Sequence, residues 1–237
     1  MFLYYLVPRI NIFTLNKQTH KLKKVIIIGA SGKVGKIITE KMSQSVDFKP
    51  TAVFRKEEQK EYFEELNVNY KIASIEVEVD TLAEVIKGAD AVVFTAGSGG
   101  NTGYDKTLTV DLDGAVKVME ASLKAGVKRF VMVSALGADD RSGWEGAKIK
   151  PYYVAKHYAD QVLKSIGLDY TIVRPGRLLD EPGSGKIDTL APKEKRGIPR
   201  EDVAQTVLEV LKNDNSIGKI IEFNEGETSI DEAVIQL

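Results

Sequence analysis

A β-branched apolar run, Val25-Ile26-Ile27-Ile28, feeds directly into Gly29-Ala30-Ser31-Gly32-Lys33-Val34-Gly35, three glycines spaced G-x-x-G-x-x-G. That order reads as a strand, a tight turn and the first turn of a helix. The first glycine permits the turn, the second lets backbone approach a pyrophosphate, and the third allows close packing of helix on strand. Free N–H groups at the helix start then face the phosphates. The turn as a whole, Gly29, Ser31, Gly32, Lys33, Val34 and Gly35, is therefore expected to bind a dinucleotide.

The residue twenty positions beyond Gly35 separates the two nicotinamide dinucleotides. A carboxylate there suits the ribose 2′-hydroxyl of NAD, whereas a cation suits the 2′-phosphate of NADP. Here the position holds Arg55, at the end of the apolar run Thr51-Ala52-Val53-Phe54, and Lys56 follows. Glu57 and Glu58 begin the next helical pattern instead. NADP(H) is favoured over NAD(H), with the Arg55 guanidinium as a forked phosphate ligand and Lys56 or Lys33 assisting.

From Lys23 onward the chain alternates strand and helix patterns, which predicts an α/β fold with a doubly wound parallel sheet. Strands are expected at Val25–Ile28, Ala52–Phe54, Tyr70–Ala73, Ala91–Thr95, Phe130–Ser134, Tyr170–Val173 and Lys219–Phe223. Helical spacing covers Gly35–Met42, Glu57–Leu66, Leu82–Lys87, Leu108–Ala125, Tyr152–Ile166 and Asp202–Leu211. Ser184 to Arg196 reads as a long irregular loop. Residues 1–22 read as an N-terminal appendage and 23–237 as one Rossmann-type domain with a minimal C-terminal lobe. The apolar stretch Phe2 to Val7 is cut by Pro8 and Arg9, too short for a membrane span and wrongly ordered for a signal peptide.

Composition narrows the partners. In 237 residues the formal net charge is −1, which offers no basic stripe for nucleic acid and no attraction to an acidic membrane. There is no cysteine, and only His20 and His157 carry imidazole, so neither a disulfide, a thiolate nucleophile nor a metal site is expected. A small-molecule substrate, a cytoplasmic location, and a monomer or homodimer are the expectations.

Chemistry should lie at the C-terminal ends of the strands. The small-residue loop Thr95-Ala96-Gly97-Ser98-Gly99-Gly100 can lie against a cofactor's ribose and nicotinamide, so Ala96, Gly97 and Ser98 join the cofactor set. Ser134 ends the fifth strand and offers a hydroxyl. Tyr152-Tyr153-Val154-Ala155-Lys156 places a phenol and an ammonium four apart, on one face of a helix. The Lys cation is expected to lower the Tyr152 pKa, as suits a group exchanging protons with an alkoxide. Tyr153, three residues from Lys156, also reaches that face.

The glycine turn, Ser134, Tyr152-x-x-x-Lys156 and Tyr170-Thr171-Ile172-Val173-Arg174-Pro175-Gly176 together resemble the short-chain dehydrogenase/reductase superfamily. More narrowly, they resemble its atypical branch of NAD(P)-binding, epimerase/dehydratase-like proteins. The resemblance covers Lys23 to Leu237, including Ile198-Pro199-Arg200-Glu201-Asp202-Val203-Ala204. It implies that Ser134, Tyr152 and Lys156 are catalytic, that Tyr152 is the acid/base and that Lys156 also holds the nicotinamide ribose. It adds Pro175 to the cofactor set. Where the superfamily usually carries an Asn, the segment Val110-Asp111-Leu112-Asp113-Gly114 carries Asp111. For the adenine, Ser74, Glu76 and Glu78 remain open.

The expected activity is hydride transfer from NADPH to a small carbonyl, quinone or flavin acceptor, in a compact pocket lidded by Leu178 to Lys195. Two alternatives are a non-catalytic NADP(H) sensor and an NAD(P)-dependent epimerase or dehydratase. The short segment between Arg177 and Pro199 disfavours a sugar-nucleotide lobe.

Overall fold

The computed structural model describes residues 21–100, 102–145, 149–189 and 197–237. Most of the expected appendage lies outside the described residues. So do residues 190–196 of the expected lid and loop.

The strands are β1 (Lys23–Ile28), β2 (Phe48–Phe54), β3 (Asn69–Ile72), β4 (Ala91–Phe94), β5 (Arg129–Val133), β6 (Asp169–Pro175), β7 (Arg177–Leu179), β8 (Lys186–Asp188), β9 (Gly197–Pro199), β10 (Lys219–Glu225) and β11 (Thr228–Ser229). The helices are α1 (Lys33–Ser43), α2 (Lys60–Glu65), α3 (Val79–Ile86), α4 (Tyr104–Lys106), α5 (Asp113–Lys124), α6 (Lys150–Ser165), α7 (Arg200–Lys212) and α8 (Ile230–Ile235).

Nine strands form the main sheet in the order β11-β8-β10-β6-β5-β4-β1-β2-β3. From β3 to β10 every pairing is parallel, and the order reverses between β1 and β4. That reversal is the topological switch point at which doubly wound sheets hold ligands. The fold is thus the expected Rossmann-like single domain, with β8 and β11 added antiparallel at one edge.

Alternation along the buried strands divides the core into two layers. Val25 and Ile27 face Ile38, Met42, Val203 and Val207 of α1 and α7. Ile26 and Ile28 face Leu82, Val118, Met119 and Leu163 of α3, α5 and α6. Pro50 sits inside β2, where it can donate no ladder bond. β3 pairs with β2 only from Thr51 onward, which leaves room for that missing donor.

Ser184 to Arg196 is not wholly irregular. Its Lys186–Asp188 forms β8, which pairs with β10 and β11. Leu178 and Leu179 of the expected lid lie in β7, paired with Ile198 and Pro199 of β9. The Gly183-Ser184-Gly185 turn is pinned by Asp202, a fully buried carboxylate in the first turn of α7. Asp202 accepts from the backbone N–H groups of Ser184 at 2.9 Å and Gly185 at 2.8 Å, and Glu201 accepts from Gly183 at 3.1 Å. These bonds give the Ile198 to Ala204 segment its local role.

The helix expected over Leu108–Ala125 begins earlier and is not α-helical throughout. Between α4 and α5 the chain winds as a π-helix over Thr107–Leu112. Such segments insert an extra residue into a turn and are frequent at functional sites.

Candidate active site at the sheet switch point

A cavity of about 480 Å³ opens over the C-terminal ends of β1, β2 and β4. Its floor is Gly29, Ser31 and Gly32. One flank holds Arg55, Lys56, Ser74, Ile75 and Glu76, and the other holds Ala96, Gly97, Ser98 and Val110.

The glycines are required by contact. Gly29 has φ +85°, and a Cβ there would meet the Ala96 backbone at 2.6 Å. A Cβ on Gly35 would meet the Gly29 carbonyl oxygen at 2.3 Å. Helix, turn and the Ala96 loop are packed too closely for any side chain, as a pyrophosphate cradle requires.

Arg55 and Lys56 are exposed at the cavity rim. Arg55 makes no hydrogen bond or ion pair with the described residues, whereas Lys56 reaches Glu58 at 3.5 Å. Lys33 does not line the cavity. Its ammonium is bound by Asp180 at 2.7 Å, a carboxylate shared with Arg200. Val34 and Gly35 are buried beneath the turn. On the Arg55 flank Ser74 and Glu76 line the cavity and Glu78 does not. Lys106 donates to Glu76 at 2.6 Å, and that bond holds the Glu76 carboxyl below its ordinary range.

Asp111 links the cavity to the Tyr-x-x-x-Lys pair. It is buried in the π-helical segment, which packs against α6. Its Oδ2 accepts from the Ser98 N–H at 3.0 Å, fixing the small-residue loop. Its Oδ1 stands 3.7 Å from Lys156 Nζ and has no hydrogen-bond partner among the described residues. Lys156, itself buried, donates to the Val133 carbonyl at 3.3 Å.

The two candidate tyrosines separate clearly. The Lys156 ammonium lies 5.6 Å from the centre of the Tyr152 ring. Tyr153 instead stacks on the buried Trp144, with ring centres 6.3 Å apart. The expected lowering of the Tyr152 pKa does not occur. Burial pushes the phenol well above its ordinary value, and the negative charge of Asp111 adds to that.

Ser134 also departs from expectation. It is 4% exposed, and its hydroxyl donates to Asp160 Oδ2 at 2.9 Å. Asp160 in turn binds the buried Arg174 at 2.9 Å, and Arg174 reaches Asp139 at 2.8 Å and Glu222 at 3.1 Å. Burial opposes the Arg174 charge, but the carboxylates outweigh it and hold the guanidinium up. Pro175 follows at the end of β6, where its carbonyl accepts from Leu136.

Sequence reasoning missed this ionic network. The Arg174-Pro175-Gly176 corner marked Arg174, yet its partners are scattered from residue 139 to residue 222, beyond any local pattern. Among the described residues no group of three or more His, Asp or Glu is placed to hold a metal ion, and no helix is long and apolar enough to cross a membrane.

A family model described as NAD(P)H-binding matches residues 29–214, from the first glycine to the end of α7 and just beyond. The chain belongs to the NAD(P)H-binding family. A Bacillus subtilis member, YhfK, named an uncharacterized sugar epimerase, is 48% identical over 214 residues, covering 90% of this chain and all of YhfK. A solved structure from Bacillus halodurans is 38% identical and superposes with a TM-score of 0.83, over 91% of this chain and all of that one. The oxidoreductase ylbE of Lactococcus lactis is also 38% identical, with a TM-score of 0.80 over 90% of this chain and 96% of its own. The NAD(P)H-binding fold here is that of the atypical short-chain dehydrogenase/reductases.

Proposed function

We propose that the protein is an NADPH-dependent reductase that delivers hydride to a small carbonyl, quinone or flavin acceptor. The reading rests chiefly on one observation: a cavity whose rim carries Arg55, which makes no hydrogen bond or ion pair with the described residues, and whose Ser98 is held by Asp111, 3.7 Å from the Lys156 ammonium beside the Tyr152 ring. The close-packed Gly29 and Gly35 cradle fits a pyrophosphate, and the open Arg55 fork fits a 2′-phosphate.

Bound NADPH would supply the hydride, two electrons delivered to the acceptor carbon. The protein supplies position and a proton. Gly29 to Gly35 would hold the diphosphate, Arg55 and Lys56 the 2′-phosphate, and Ala96 to Ser98 the nicotinamide end. Tyr152 donates its hydroxyl proton to the acceptor oxygen and regains one from water. Lys156, anchored to the Val133 carbonyl, would bind a ribose hydroxyl. Because the Ser134 proton is committed to Asp160, Ser134 can offer the reacting groups only an acceptor oxygen. It would orient the Tyr152 hydroxyl rather than polarise a carbonyl.

The name YhfK carries suggests a sugar epimerase. Against that reading stand the cationic rim and a C-terminal lobe whose described parts are short strands. The test begins with binding. Quenching of the single tryptophan, Trp144, is followed as NADPH or NADH is added to wild type and Arg55→Ala. NADPH should bind preferentially, and Arg55→Ala should weaken it about 10- to 100-fold with NADH nearly unchanged. Equal loss for both nucleotides defeats the phosphate assignment. In an acceptor screen, Tyr152→Phe should then lose at least about 100-fold in turnover while keeping NADPH affinity within about threefold. Unchanged turnover in that variant removes Tyr152 as the acid, and an absence of turnover in wild type favours a sensor.

A further inference from the structure

A second concavity lies at the far end of the sheet from the cofactor cavity. It measures about 330 Å³ and is bounded by the N-terminal parts of β1, β2 and β3 and by the Lys87-Gly88-Ala89 turn that follows α3. The two cavities share no lining residue. Lys24 and Ile28 are four residues apart on β1, about 13 Å along the strand, so one strand serves both cavities at opposite ends.

Strand register explains why the walls of this groove are basic. Lys24 lies beside Lys49 in the ladder of β1 and β2, Ile26 beside Thr51, and Thr51 beside Asn69, with Lys71 two residues further along β3. Side chains two apart in a strand share a face, and Ile26 belongs to the layer packed against α3. Lys24, Lys49, Thr51, Asn69 and Lys71 therefore project from the α3 face of the sheet. α3 ends at Ile86, and Lys87 in the turn after it brings a fourth ammonium group to the lining. No Asp or Glu lines the groove.

We propose that this groove binds a small polyanion, a phosphate ester or a polycarboxylate, at a site separate from the cofactor's. A concave wall lined by charges of one sign concentrates counter-ions. The ammonium groups of Lys24 and Lys49 make no hydrogen bond or ion pair with the described residues. Asp90 accepts from the Lys24 backbone N–H at 2.8 Å and pairs with Lys21 at 3.7 Å, which leaves the Lys24 side chain uncompensated. Lys71 donates to the Val85 carbonyl at 2.6 Å and Lys87 reaches Glu84 at 3.3 Å. An ammonium has three donors, so both keep capacity for a ligand. Thr51 and Asn69 add a hydroxyl and an amide between the cations. The volume falls at the small end of the range of about 300–1,000 Å³ found for ligand sites, which suits a compact body carrying two or more negative charges.

Inorganic pyrophosphate and citrate serve as probes, one for each source of charge, titrated by calorimetry into the full chain at about 0.15 M salt. At least one of them should bind one equivalent with a Kd below about 1 mM. Tighter binding of pyrophosphate assigns the groove to phosphoryl ligands, and tighter binding of citrate assigns it to polycarboxylates. Lys24→Gln and Lys49→Gln, both at exposed positions, should each weaken that binding at least about fivefold. Lys164→Gln, which removes an exposed cation from α6, should leave it within about twofold. Equal weakening in Lys164→Gln would trace the binding to the general field of the protein and overturn the proposal. Absence of saturable binding for both probes would overturn it too. So would binding that is lost in Arg55→Ala and kept in Lys24→Gln and Lys49→Gln, since the probes would then sit in the cofactor cavity.

Discussion

Gly29 and Gly35 are glycines for different physical reasons. Gly29 combines a left-handed backbone with the Ala96 chain at its back, whereas Gly35 lies inside an ordinary helix and is excluded from carrying a side chain by the Gly29 carbonyl and the Ala30 backbone. Gly35→Ala should therefore unfold or distort the turn despite the higher helix propensity of alanine. A loss of at least about 2 kcal/mol is expected in urea denaturation, with NADPH binding lost at the same time. By contrast, Gly126 has φ +74° with open space around it, and Gly126→Ala there should cost only about 1 kcal/mol from the backbone. Both the glycine turn and the Tyr-Lys pair were legible as residues, because their spacing is itself the chemistry. The acid beside the lysine was legible as a residue, but its effect was not. Nothing local in Val110-Asp111-Leu112 tells that its carboxylate meets Lys156, forty-five positions on.

At the scale of elements, β1, β4, β5, β6 and β10 were readable because strands buried on both faces are written as apolar runs. β7, β8, β9 and β11 were not, since strands of two or three residues are specified by their partners more than by their own propensities. α8 likewise escaped notice, as six residues carry little periodic signal. The π-helical segment uses the same residue types as an α-helix and is invisible to spacing. The α7 start illustrates how such elements are tied down. Asp202→Ala would leave the Ser184 and Gly185 amides without their acceptor, at a cost of about 2–4 kcal/mol. Hydrogen exchange should accelerate at residues 183–185 while the amides of β1 stay protected.

For the molecule as a whole, Arg174 gathers β6, α6, β10 and the loop after β5 into one ionic cluster. Burial works against the Asp139 charge, but the Arg174 hydrogen bond and charge hold its carboxyl below the ordinary value. A carboxylate lowered on folding contributes stability above its unfolded pKa of about 3.9, and that contribution is lost as pH falls through the folded value. Asp160 is displaced upward by burial and contributes in the opposite sense. The two are separated by substitution. Asp139→Asn should melt below wild type at pH 7, and the gap in Tm should close as pH drops from about 5 to below about 3. A gap that is constant with pH would mean that the Asp139 charge has no part in the cluster's stability.

The π-helical segment between α4 and α5 is a phase device. Each residue advances a helix by about 100°, so one surplus residue in a turn sets the two halves of the Tyr104 to Lys124 helix out of step. The C-terminal half is thereby free to keep Ala115, Val118 and Met119 against the sheet, while Asp111 is aimed independently at Ser98 and Lys156. Shortening this stretch by one residue would leave the sheet packing intact and swing the carboxylate out of the site, turning a reacting helix into a merely supporting one.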